Sequence, residues 1–247
     1  MHKFFCLSFN IIDDRMTIDD EEQVHHMKGV LRLKPNDEVE MFDEFGNEYD
    51  CVIDGVSDKQ ISLRITMRRL APPKDESMRI TVACAIPKNV KMDDIVDKLT
   101  QLGVERIIPL ETERTVVRLD KLKKFLRLER WKRLAKSASQ QSKRNTIPII
   151  DSVRSIKEVL SEALNFELKL IPTLAGEHRS LKEVFAVSKA KKVLVFIGPE
   201  GDFTEQEVMA AMNAGCIPVT LGKEVLRVDT AAIAVVSFIK FHEPRPS

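Results

Sequence analysis

The chain has 247 residues, 43% of them apolar and 31% charged, and a formal net charge of +1. That length holds one large domain, or a small and a medium one, of ordinary globular composition. No stretch approaches the roughly 20 apolar residues of a membrane span, and the scattered Cys6, Cys51, Cys84 and Cys216 form no CxxC pair, Cys/His metal cluster or disulfide framework.

No metal and no membrane partner are expected, and a reducing cytoplasm is the expected location. The opening Met1-His2-Lys3-Phe4-Phe5-Cys6-Leu7-Ser8 meets Asp13, Asp14 and Arg15 too soon for a secretory signal and reads as a strand. Short strands continue at 38–42, 49–53 and 61–65, with a Gly46-Asn47 hairpin turn and one helix over 21–31. This first part, 1–72, reads as a small β domain. Pro72-Pro73-Lys74-Asp75-Glu76 breaks both element types, which places a linker at 73–77.

Over 78–247 strands and helices alternate. Strands are expected at 79–85, 106–110, 147–150 and 168–171, and helices at 92–102, 121–142, 155–164 and 181–187. The helix at 121–142 carries Leu122, Phe125, Leu126, Leu134, Ala135 and Ala138 near one stripe. It also opens a basic block, 121–144, with ten Lys/Arg against one acid, Glu129. Such a block marks either a polyanion-binding surface or a solvated helix face. Trp131 within it is expected to pack in the core, and His25 and His26 to lie on the surface of the small domain. The alternation implies an α/β fold with a parallel sheet covered on both faces. A nearly all-apolar helix, 230–241, closes the chain and must be buried in the core or against a second subunit.

The most informative segment lies just before that helix. Val193-Leu194-Val195-Phe196-Ile197 runs into Gly198-Pro199-Glu200-Gly201-Asp202-Phe203, and Ile217-Pro218-Val219-Thr220-Leu221 into Gly222-Lys223-Glu224-Val225-Leu226-Arg227. Glycine lets the backbone turn tightly or approach a ligand, and open α/β sheets bind ligands at the carboxyl ends of their strands. Thr204 and Glu207 form a capping box after the first turn. A strand, a turn and a capped helix need no ligand, so spacing alone leaves site and plain turn open. Neither turn is a P-loop or GxGxxG, which counts against a Rossmann-type nucleotide enzyme.

The chain resembles the SPOUT superfamily of knotted methyltransferases, and within it the family that methylates N3 of a uridine in small-subunit (16S) ribosomal RNA. The resemblance rests on many short blocks in one order. They are His25 with Val30-Leu31-Arg32, Ile86-Pro87-Lys88 with Lys91-Met92-Asp93, Lys98-Leu99 with Leu102-Gly103-Val104, and Ile108-Pro109 with Glu113-Arg114. Further on come Ala138, Gln141-Ser142 and Arg144, then Ile197-Gly198-Pro199-Glu200-Gly201, Leu221-Gly222, Leu226-Arg227 and Thr230-Ala231. Departures from the family pattern are Gln101 and Gln140 in place of Glu, Asp202 in place of a third glycine, Glu224 in place of Arg, and Val228-Asp229 in place of Thr-Glu.

The resemblance implies a PUA-like, RNA-binding β-barrel at 1–72 and a parallel-sheet domain with a trefoil knot at 78–247. It implies a homodimer, a small-subunit ribosomal RNA substrate, and S-adenosylmethionine held by Pro172, Thr173 and Leu174, by Ile197, Gly198, Pro199 and Gly201, and by Leu221, Gly222, Val225 and Leu226. Arg227, with Asp229 and Glu200, is the implied catalytic group. Lys28, Arg32, Lys88, Lys91, Arg114, Arg133, Lys143 and Arg144 are the implied phosphate contacts. Residues 1–75 carry 10 Lys/Arg and 16 Asp/Glu, so any RNA contact there requires a local patch such as Lys28, Arg32 and Lys34. The alternatives are a related enzyme acting on transfer RNA or another ribosomal site, and an RNA-binding module without turnover.

Overall fold

The structure is a computed structural model and describes residues 1–71, 78–88, 92–117, 119–174 and 176–242. The expected linker at 73–77 and Lys91 lie outside them. The chain divides into two compact units, Met1–Asp75 with Ser139–Ile147, and Glu76–Ala138 with Pro148–Ser247.

In the first unit the strands are β1 (His2–Phe5), β2 (Ile11–Ile12), β3 (Arg15–Ile18), β4 (Glu38–Phe42), β5 (Glu48–Val56) and β6 (Ile61–Arg69). They form one sheet in the order β1-β4-β5-β6-β3-β2, with β1 parallel to β4 and the other pairs antiparallel. Side chains alternate across each strand, so Val39 and Met41, Tyr49, Cys51 and Ile53, and Ile61, Leu63 and Ile65 all enter one buried core. The helix read at 21–31 is α1 (Glu21–His25), capped by the Asp20 carboxylate, continued by a wider turn over His26–Val30. His25 and His26 are exposed, as expected. In the β4–β5 turn Gly46 has φ +86°, and the buried Asp43 carboxylate accepts bonds from the Phe45 and Asn47 amides and the Tyr49 hydroxyl at 2.8–2.9 Å.

The second unit contains β7 (Arg79–Ala85), α2 (Met92–Gln101), β8 (Arg106–Glu111), α3 (Lys121–Gln141), β9 (Ile149–Ile150), β10 (Arg154–Ser155), α4 (Ile156–Leu160), β11 (Leu168–Pro172), β12 (Arg179–Ser180), α5 (Leu181–Val187), β13 (Lys192–Ile197), α6 (Glu205–Asn213), β14 (Ile217–Thr220) and α7 (Val228–His242). From Ser139 on, the end of α3 counts with the first unit. The sheet runs β10-β8-β7-β13-β11-β14-β12, with β9 beside β8, and all its pairs are parallel. Parallel strands are buried on both faces. Accordingly β13 is buried from Val193 to Ile197, and α7 packs on β7, β13 and α2 through Val228, Ala232, Val235, Val236 and Ile239.

The stripe read along α3 is only half buried. Ala135 and Ala138 are in the core, whereas Leu122, Phe125 and Leu126 are 56–67% exposed. The first two turns of α3 carry apolar side chains at helical spacing with no described surface to cover them. Trp131 is fully buried, and its indole donates to Asp93 at 3.0 Å.

Strand order fixes the site. β13, β11 and β14 are neighbours and parallel, so the loops after Ile197, Pro172 and Thr220 leave the sheet at one edge.

Candidate active site

Those three loops line one cavity that opens to solvent, the concave setting in which small molecules bind. Ten of the eleven predicted cofactor contacts lie in its wall: Pro172, Thr173 and Leu174 from the first loop, Ile197, Gly198 and Pro199 from the second, and Leu221, Gly222, Val225 and Leu226 from the third. Gly201 is not in the wall. Its carbonyl points elsewhere, to the Arg114 guanidinium at 2.7 Å. Sequence reading missed Asp202, Thr220, Glu224, Val228 and Ala231 as lining residues. Val228 and Ala231 sit one helical turn apart at the start of α7, so the 3.6 period could have found them. Asp202 and Glu224 were visible only as departures from a pattern.

Local chemistry explains the turns. A Cβ on Gly198 would stand 3.1 Å from the Phe203 ring, tighter than most side chains pack, so glycine lets the turn close over a buried phenylalanine. Gly222 has φ +132°, a conformation open to glycine. The Glu200 carboxylate accepts the Lys88 amide at 2.8 Å. The Thr204–Glu207 capping box is present at the start of α6.

Of the three predicted catalytic residues, Glu200 lines the cavity. Arg227 and Asp229 do not line it; they follow it directly, at the end of the third loop and in the first turn of α7. Arg227 is exposed, and its guanidinium makes no hydrogen bond or ion pair among the described residues. The alternative of a plain surface pair with Glu224 or Asp229 is therefore not formed. Asp229 Oδ1 is buried with no hydrogen-bond partner among the described residues. An orphaned acceptor of this kind carries a desolvation cost. Burial pushes the Cys84 thiol far up, and the Asp229 and Glu200 carboxylates push it further. Cys84 is thus a packing residue and no thiolate nucleophile.

The predicted phosphate contacts are dispersed. In the second unit Lys88, Arg114 and Arg133 are exposed, and Arg114 braces the Gly201 turn. In the first unit Lys28 pairs with Asp58, Arg32 and Lys143 are exposed with left-handed backbones, and Arg144 is half-buried with a bond to Thr146 at 3.2 Å. Among the described residues no group of three or more His, Cys, Asp or Glu is placed to hold a metal, and no helix is long and apolar enough to cross a membrane.

A family model described as an RNA methyltransferase domain matches residues 74–240, and one described as an RNA methyltransferase PUA domain matches 18–66. The chain belongs to the RNA methyltransferase family. The resemblance read from the short blocks is borne out, and so is a PUA-like unit followed by a parallel-sheet unit. Among relatives in this family, the ribosomal RNA small subunit methyltransferase E of Bacillus subtilis is 29% identical over 225 residues, covering 89% of this chain and 88% of the relative. The protein of the same name from Rickettsia conorii is 29% identical over 233 residues, covering 92% and 90%. Two solved structures share the fold. A putative methyltransferase from Legionella pneumophila in complex with the bound cofactor SAM has a TM-score of 0.87 at 28% identity, covering 97% of this chain and 96% of that one. A ribosomal RNA small subunit methyltransferase E from Neisseria gonorrhoeae bound to S-adenosyl methionine has a TM-score of 0.82 at 28% identity, covering 98% and 97%.

Proposed function

We propose that this chain transfers a methyl group from S-adenosylmethionine to N3 of a uridine in small-subunit (16S) ribosomal RNA. The observation that carries the reading is the single cavity built by the loops after β11, β13 and β14, with Arg227 at its border. Support comes from relatives named for small-subunit ribosomal RNA and from related structures solved with this methyl donor. The residues present fit such a donor. Apolar Leu174, Ile197, Leu221, Val225 and Leu226 suit the faces of an adenine, and Glu200, Asp202 and Glu224 suit a cationic ligand.

S-Adenosylmethionine supplies a methyl group already activated on a sulfonium, so no metal is needed. The chain's task is to prepare the acceptor. The N3–H bond of uracil breaks and its proton leaves, its electron pair forms the N3–CH3 bond, and the methyl–sulfur bond breaks with its pair kept by sulfur, so that a neutral thioether would be the leaving group. Arg227, exposed and unpaired among the described residues, neutralises the charge that spreads onto the uracil oxygens as the proton departs. Asp229 or Glu200 orients Arg227 or accepts the proton, directly or through water. The base is unstacked from its RNA to reach the donor, and Lys88, Lys91, Arg114 and Arg133, with Lys28, Arg32, Lys143 and Arg144 of the first unit, hold phosphates. The same reading assigns a trefoil knot to residues 78–247, RNA binding to 1–72, a homodimer and a cytoplasmic location.

The test is mass mapping of methylated nucleosides in 16S ribosomal RNA from cells lacking the gene. Loss of one N3-methyluridine, restored by the wild-type chain and not by Arg227→Ala, supports the reading. An unchanged map overturns it, and a mark lost from transfer RNA or the large subunit redirects it.

A further inference from the structure

Asp202 stands where the family pattern has glycine. Its backbone is left-handed, φ +59°, a region that glycine enters freely and that among other residues mainly Asn and Asp tolerate. A turn residue needs nothing more, and the bond from the Phe203 amide to Oδ1 at 2.8 Å is the kind a plain turn makes. The other oxygen reaches further. Oδ2 accepts the Leu174 amide at 2.9 Å and the Thr173 hydroxyl at 3.1 Å, 28 and 29 residues away in sequence. Thr173 and Leu174 belong to the loop after β11, Asp202 to the loop after β13, and all three residues line the cavity.

We propose that Asp202 is a positioning residue that ties two of the three cavity loops together before ligand arrives, and that this chain thereby presets a wall which a glycine at this position leaves to the ligand to order. The geometry assigns the two oxygens different tasks. Oδ1 holds the left-handed turn and lies behind Gly198, 3.4 Å from where a Cβ there would be. Oδ2 carries a charge-assisted pair of bonds between the two loops, stronger than neutral ones. Leu174 is 60% exposed, so its amide has little else to protect it. Presetting a loop lowers the ordering cost that binding otherwise meets. The effect on ligand rests on the methyl-donor reading; the tie itself does not.

The experiment compares wild type with Asp202→Gly, Asp202→Asn and Thr173→Val. Glycine fits the left-handed backbone and deletes both cross-loop bonds, so the fold is retained. Asparagine keeps the backbone and one acceptor oxygen and removes the charge. In the ligand-free protein, hydrogen exchange at the Leu174 amide is expected to quicken at least tenfold in Asp202→Gly and much less in Asp202→Asn. Calorimetry with S-adenosylmethionine should show affinity about tenfold weaker in Asp202→Gly, about threefold weaker in Thr173→Val, and largely restored in Asp202→Asn. Unchanged Leu174 exchange in Asp202→Gly overturns the proposal. So does equal loss of affinity in the Gly and Asn variants, which would make the charge and not the bond the active feature. A wild-type chain that does not bind the donor sinks the functional reading instead, and the exchange result still decides the tie.

Discussion

The segments 198–203, after β13, and 221–227, after β14, both contribute to the wall of the same cavity but are held in different ways. The first segment is braced on several sides. Asp202 bonds back to Pro199, Glu200 takes the Lys88 amide, Gly201 takes the Arg114 guanidinium, and Phe203 is buried in the core. The second holds itself with a Thr220–Gly222 pair and a bond from the Ala231 amide to the Arg227 carbonyl, and Val225 is 72% exposed. Density of bonds and burial set local stability. The cavity therefore has a rigid wall and an adaptable one, and the proposed catalytic Arg227 hangs on the adaptable one.

The largest expected effect tests that last point. Arg227→Ala should lower turnover by about 10²- to 10³-fold, the usual cost of losing one donor to a developing oxyanion. Donor affinity should stay within about threefold if Arg227 acts only in the transition state. Affinity falling in step with turnover would mean that Arg227 shapes the loose wall instead. The two glycines separate the walls next. Gly198→Ala forces a Cβ against Phe203 and should cost about 1–3 kcal/mol, a fall of a few degrees in Tm for a chain of this size. Gly222→Ala meets only Glu224 Oε2 at 3.7 Å; its strain, of the order of 1 kcal/mol, relaxes within a loop that has room, so Tm should shift less while donor affinity weakens. Equal Tm shifts would erase the distinction. Hydrogen exchange gives a third measure. Saturating S-adenosylmethionine should slow amides in 223–227 more than those in 198–203, because only the former have order left to gain.

Much of this was legible in the residues. The strand–turn pairs ending at Ile197 and Thr220 are largely apolar runs closed by glycine, and the alternation with helices around them points to parallel strands, buried in β13 and partly buried in β14. The loop after β11 carries a weaker signal, because its glycine, Gly176, comes four residues after the strand ends and Thr173-Leu174 has neither glycine nor charge. Only the strand order, which puts β11 between β13 and β14, brings it to the site, and periodicity is blind to strand order. The α3 stripe failed for a related reason: a 3.6 spacing says which side chains share a face, not whether anything covers it. Asp202 and Glu224 drew notice only as substitutions, and the role of Asp202 lies in bonds to residues 28 and 29 positions away that no local pattern encodes.

The smallest expected effect lies in the first unit and serves as the control for the others. Arg69 donates to both Asp50 oxygens at 2.6 Å and holds the Asp50 carboxyl below its usual range. Glu48 is held low by Lys3 first and by Arg69 as well. A carboxyl depressed in the folded state adds stability that is complete above its unfolded value, about 4, and is lost as pH falls through the lower folded value. The first sheet should therefore weaken in acid below about pH 4, and Arg69→Met should remove part of that dependence while lowering stability at neutral pH. Arg69 is partly exposed, so the effect should not exceed about 1 kcal/mol, read as the difference in urea midpoint between acid and neutral pH for wild type and variant. The same variant should leave hydrogen exchange in 223–227 unaltered, because looseness there comes from a shortage of local bonds. Faster exchange there in Arg69→Met would mean that those amides report on the stability of the whole chain, and the contrast between the two walls would lose its local cause.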